Sequence, residues 1–139
     1  MNRLDFQKLA EARLLDAKAL FEGKRFDAAY YLAGYVVECA LKACAAKLTR
    51  EHYFPPKNTG ILYRHNLEDL VKASGIGESF SKDRDSDTLL DQYWEFVKDW
   101  KSDSRYELRD EHAEVTARTM LSAIEDREHG VLQCLSKYW

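Results

Sequence analysis

The chain has 139 residues, 45% of them hydrophobic and 32% charged, with 21 Lys and Arg against 24 Asp and Glu for a formal net charge of −3. That is one domain with enough apolar content for a sizeable core, and its balance offers no global attraction to nucleic acid or anionic membrane, so any RNA contact must use a local patch. No apolar run reaches 18 residues, which excludes a transmembrane helix, and the charged start MNRLDFQKLAEARL is not a signal peptide.

The first helix is expected from Asn2 or Arg3 to Phe21, with Leu4, Leu9, Leu14, Leu15, Ala19 and Leu20 on its core side. Gly23 is expected to end it in the left-handed conformation. A second helix follows from about Asp27 to Leu48. Phe26, Ala29, Tyr30, Ala33, Val36, Val37, Ala40, Leu41 and Cys44 form a stripe wide enough for a central core helix. The short link makes the two an antiparallel hairpin.

Arg50 to Arg64 reads as irregular, since Pro55-Pro56 excludes helix. It combines Tyr53, Phe54 and Tyr63 with Arg50, His52, Lys57 and Arg64. A short third helix is expected from Leu67 to Ala73, with Asn66 or His65 near its start and a stop at Ser74-Gly75-Ile76-Gly77. Ser86 or Asp87 opens the fourth, burying Leu89, Leu90, Tyr93, Trp94, Val97 and Trp100. Lys101 to Arg109 is a polar bridge. The fifth runs from Asp110 or Glu111 to Leu135, with Val115, Thr119, Leu121, Ile124, Val131, Leu132 and Leu135 as its apolar side and Gly130 weakening its end. No strand pattern is present. The expected architecture is all-α, a single domain over 1–139 built as a five-helix, mostly antiparallel bundle.

Three phrases carry a family resemblance: YYLAGYVVECALKA preceded by GKRFDAA, HNLEDL from His65 to Leu70, and Trp100 followed by Ser104-Arg105-Tyr106. In this order they resemble the HEPN domain, the small helical module of nucleotidyltransferase partners and defence toxins. The resemblance implies a nucleotide-associated binding or regulatory module, the partner of a nucleotidyltransferase in a toxin–antitoxin or defence-type system, and a homodimer. Its alternative is a metal-independent ribonuclease toxin, because ribonuclease members carry an Arg, four to six residues and a His at the start of the last major helix.

Arg105 and His112, separated by YELRDE, fit that spacing. In that reading His112 moves the proton and Arg105 stabilises charge on the phosphoryl oxygens. Against it, Glu107, Asp110, Glu111 and Glu114 crowd the pair, and Arg105 can equally salt-bridge these acids. Tyr106 either packs on Arg105 as a brace or stacks on a base while Arg105 holds a phosphate.

Glu38 and Lys42 lie four apart on the most apolar helix. They form either an ion pair on its solvent strip or part of a dimer seam or ligand cleft shared with Arg105. His65, at a helix start, can bond backbone groups or reach a facing helix. His129 is expected at the surface.

Cys39, Cys44 and Cys134 lack metal spacing and read as buried, reduced thiols of a cytoplasmic protein. No metal-ligand spacing, Gly-rich phosphate loop, Ser nucleophile motif or DNA-binding motif is seen, and no cofactor is expected. Nucleotide or RNA, a nucleotidyltransferase and a second copy of the chain are the expected partners.

Overall fold

The structure is a computed structural model, which describes residues 1–48, 65–106 and 113–139, apart from the side chains of Arg105 and Tyr106. Seven α-helices and one 3-10 helix lie among the described residues, with no strand. They are α1 (Arg3–Glu22), α2 (Phe26–Ala46), α3 (Leu67–Ala73), α4 (Gly77–Ser86), α5 (Thr88–Val97), the 3-10 helix η1 (Ser102–Tyr106), α6 (Ala113–Glu125) and α7 (Val131–Leu135). The Arg50 to Arg64 loop and its His52 lie outside the described residues.

Asn2 starts α1 with a capping box, its side chain accepting from the Asp5 amide while Asp5 accepts from the Asn2 amide. The helix buries Phe6, Ala10 and Ala17. The expected leucine face is therefore rotated: Leu4 and Leu15 are 53% and 68% exposed. Two alanines at the α2 contact let the backbones approach, and the larger leucines are displaced to the flanks. Leu9, Leu14 and Leu20 pack there against the core.

The turn into α2 also departs from expectation. Gly23 has φ −79°, and Lys24 takes the left-handed conformation at φ 61°. The Arg25 amide donates to the Leu20 carbonyl and the Lys24 amide to that of Phe21, the bond pair of a Schellman motif. The left-handed position thus falls one residue after the glycine.

Of the 21 residues in α2, 14 are buried, and the helix touches α1, α3, α6, α7 and η1. It is the axis of the bundle. Asn66 caps α3 by accepting from the Asp69 amide. Gly75 then turns the chain at φ 79°.

The sequence GESFSKDRDS forms α4, a helix beyond the five expected. Its one buried anchor is Phe80, edge-on to Trp94 at 4.9 Å, with Arg84 over the outer ring face. A single apolar residue in ten leaves no periodicity to read. Asp87 then starts α5 by accepting from the Leu90 amide.

The expected fifth helix is two. Asp126 accepts from the Glu128 and His129 amides and breaks the helix there. Gly130 sits where a Cβ would come within 2.4 Å of the Asp126 carbonyl oxygen and 2.7 Å of that of Ile124. Within α6 the buried face is Ala113, Ala117, Met120, Leu121, Ala123 and Ile124. Val115 and Thr119, expected inside, are exposed. The three cysteines are free and buried.

Candidate functional site

Burying a carboxylate in the central helix of a small bundle is costly unless cations meet it. Glu38 is 1% exposed. Its Oε1 accepts from Lys42 Nζ at 2.7 Å, one turn along α2. The His65 Nδ1 lies 2.9 Å from Oε1 and 3.0 Å from Oε2, reaching in from just before α3. Three of the expected site residues therefore meet in one cluster. The alternative of an ion pair on a solvent strip does not hold, because the carboxylate is sealed beneath its partners.

The partners differ in exposure. The Lys42 side chain is 14% exposed and that of His65 is 50% exposed. The anion is thus inside and the cationic and basic groups face out. A carboxylate on Nδ1 selects the tautomer with its proton there, leaving Nε2 without a proton in the neutral ring.

Two more α2 side chains adjoin the cluster. Tyr35 and Cys39 are both pushed up to about 12, chiefly by burial and then by neighbouring groups that include Glu38. Each stays protonated at neutral pH, so Cys39 is no thiolate nucleophile.

One turn back along α2, Gly34 provides the seat for η1. A Cβ on Gly34 would lie 2.2 Å from Trp100 ring atoms, so the indole rests directly on the helix backbone. Trp100 stacks on Tyr31 at 6.0 Å, and Tyr31 on Tyr35 at 6.5 Å. The buried Trp100 Nε1 and Ser104 Oγ have no hydrogen-bond partner among the described residues. This packing fixes η1 against α2 and places the backbone of Arg105 and Tyr106 beside it. Their side chains, and all of His112, lie outside the described residues. The seven Ala and one Gly from Ala28 to Ala46 suggest close approach in the sequence, but a glycine among alanines gives no sign of the indole above it.

A second polar group lies between α4, α5 and α7. His129 Nδ1 is 2.8 Å from Asp87 Oδ2, and the Tyr93 hydroxyl donates to Asp126 at 3.3 Å. Asp83 accepts from Cys134 Sγ, Lys137 Nζ and the Tyr138 hydroxyl. His129 is thus partly exposed, as expected of a surface residue, and is also a clasp. The bond to Asp87 raises the His129 pKa above its ordinary value, and the same bond lowers that of Asp87. A cavity of about 210 Å³ opens here, with Asp83, Asp87, His129 and Lys137 among its lining. Among the described residues no group of three or more His, Cys, Asp or Glu could hold a metal ion.

The described residues form an all-α bundle with a buried carboxylate on its central helix. The family model of the HEPN domain matches residues 5–129, and the chain belongs to that family. Membership supports a nucleotide-related or ribonuclease-type module in general. No match to a curated protein or to a solved structure was found. No described helix is long and apolar enough to cross a membrane.

Proposed function

We propose that the chain is a nucleotide-associated binding and regulatory HEPN module, working in the cytoplasm as a homodimer and as partner of a nucleotidyltransferase in a toxin–antitoxin or defence-type system. The cluster of Glu38, Lys42 and His65 receives the phosphate group of its ligand. The observation that carries this reading is the burial of Glu38 against Lys42, itself mostly buried, and the half-exposed His65. A buried carboxylate that neutralises one cation leaves the second group, once protonated, as a net positive spot on an acidic protein. Arg105 and Tyr106, whose backbone belongs to the 3-10 helix packed on α2, are assigned a phosphate contact and a stacking ring in this reading.

The test is a titration of isotope-labelled protein with AMP, ATP and a short 5′-phosphorylated RNA, followed by NMR. Shifts centred on Lys42 and His65 and abolished by Lys42→Met support the reading. Shifts confined to the cavity near His129, or none at all, remove the site.

The packing of η1 on α2 favours a second reading, the ribonuclease one, because it anchors the backbone of Arg105 beside the central helix. There Arg105 and His112 cleave RNA without metal. Cleavage in excess EDTA that leaves 2′,3′-cyclic phosphate ends and is lost in His112→Ala is the expected result of that alternative.

A further inference from the structure

A histidine with one ring nitrogen held by a sealed carboxylate and the ring half in solvent is built differently from a simple ion-pair partner. Both oxygens of Glu38 lie within 3.0 Å of His65 Nδ1, and Nε2 has no hydrogen bond among the described residues. The Lys42 ammonium lies 2.7 Å from the same carboxylate, so a cation stands beside the imidazole.

We propose that His65 is the proton-binding group of this site, and that the site takes phosphate monoesters as dianions while Nε2 takes up a proton. The inference rests on the phosphate-binding reading above and adds to it the ligand class and the proton. The bonds balance simply. The dianion binds, Nε2 gains an N–H bond to a proton drawn from solution, and no bond to phosphorus forms or breaks. The bound pair is a phosphate dianion and an imidazolium, which donates to the phosphate oxygen in a charge-assisted hydrogen bond.

The chemistry selects among phosphates. A monoester loses its second proton near pH 6 and meets the site as a dianion at neutral pH. A diester carries a single negative charge and gains less from an imidazolium. Charge points the same way: with imidazole neutral, Glu38 and Lys42 cancel, and protonation leaves one net positive charge to face the dianion.

Other titratable and charged groups stand on the elements around His65. On α2, Tyr35 and Cys39 are pushed up to about 12 and stay protonated. On α3, Glu68 and Asp69 occupy the first turn after His65, and Lys98 of α5 lies 3.9 Å from Glu68. Arg13 of α1 acts on Cys39.

Calorimetric titration of the full chain with AMP at pH 7.5, in two buffers of different ionisation enthalpy, reads the uptake directly. A free monoester is already mostly dianionic there, so proton uptake on binding reports the protonation of Nε2. We expect uptake approaching one proton per bound AMP, affinity falling as pH rises above 7, and cyclic AMP, a diester, bound at least tenfold more weakly. His65→Gln, at a half-exposed position before α3, should keep the fold by circular dichroism and lose the uptake. Glu38→Gln should reduce it. AMP binding with no proton uptake, or uptake unchanged in His65→Gln, overturns this inference and leaves the phosphate reading standing. Absence of AMP binding overturns both.

Discussion

Two carboxylate–histidine pairs of nearly equal length stand at different depths in this bundle. Glu38 and His65 approach to 2.9 Å, Asp87 and His129 to 2.8 Å. The Asp87 side chain is 27% exposed and also caps α5 through the Leu90 amide, so it serves the backbone. Glu38 is 1% exposed, and its described hydrogen bonds run to side chains alone, one a cation and the other able to become one. The Asp87 pair joins two elements. The Glu38 pair keeps an anion inside the central helix, where an apolar residue would pack with less desolvation cost. Distance alone does not separate the two pairs; burial and the identity of the other partners do.

The largest expected effect comes from removing the buried anion. Glu38→Ala leaves Lys42 and His65 over an empty, partly desolvated site and should cost about 3–5 kcal/mol in urea unfolding. Asp87→Ala removes a cap and an exposed contact, and its loss should be clearly the smaller. Equal losses from the two substitutions would erase the contrast of depth. A Glu38→Leu variant as stable as wild type would mark the carboxylate as retained for something other than folding.

Next in size is Gly34→Ala. The new Cβ would lie about 2.2 Å from the Trp100 ring. Overpacking of this kind costs 1–3 kcal/mol, and the better helix propensity of Ala returns roughly 1. A net loss of about 1–2 kcal/mol with a shifted Trp fluorescence spectrum is expected. Because η1 rests on this seat, the Glu38 cluster should lose AMP affinity while the His129 pair is untouched. An unchanged fluorescence spectrum and unchanged affinity would detach η1 from the site.

The sequence made one half of this contrast visible and hid the other. Glu38 and Lys42 stood out because charges interrupt an apolar stripe at helical spacing, and His65 because it opens a capped helix. What spacing does not encode is depth, so it could not separate a solvent strip from a cleft for Glu38; the contact from His65 before α3 does. Helices α2, α3 and α5 were legible from stripes and caps. The α4 helix was hidden because Phe80 alone anchors it. The break at Asp126 depends on a side chain turning back to two amides, which looks in sequence like any acid in a helix. The family phrases also cover Arg105 and Tyr106, but what those side chains touch is not encoded in the phrase.

A smaller effect separates the pairs by pH. His129 titrates above its ordinary value, so its contribution is complete below about pH 6.5 and is lost as pH rises through the raised folded value. Asp87 titrates below its ordinary value, so its contribution is present above about pH 4 and is lost as pH falls through the lowered folded value. Both are present together between roughly pH 4 and 6.5. Thermal melts of His129→Gln against wild type should differ most in that window and converge toward pH 9. A difference that stays constant to pH 9 would show His129 acting by packing and not by charge.

The smallest expected effect is a gain, and it bears on neither pair directly. Lys24 holds φ 61° in the Schellman turn, a conformation that costs a side-chain-bearing residue and suits glycine. Lys24→Gly should stabilise the chain by roughly 0.5–1 kcal/mol, the relief of strain being partly offset by the greater freedom of glycine in the unfolded chain. The turn joins α1 to α2 at the end of α2 away from Glu38, and two α2 turns separate it from Gly34. The gain should therefore add to the loss in Glu38→Ala within about 0.5 kcal/mol, as distant independent sites do. A gain that vanishes in the Glu38→Ala background would mean that the buried carboxylate governs how α2 packs along its whole length. The cluster would then be part of the hairpin's folding as well as a surface for a ligand.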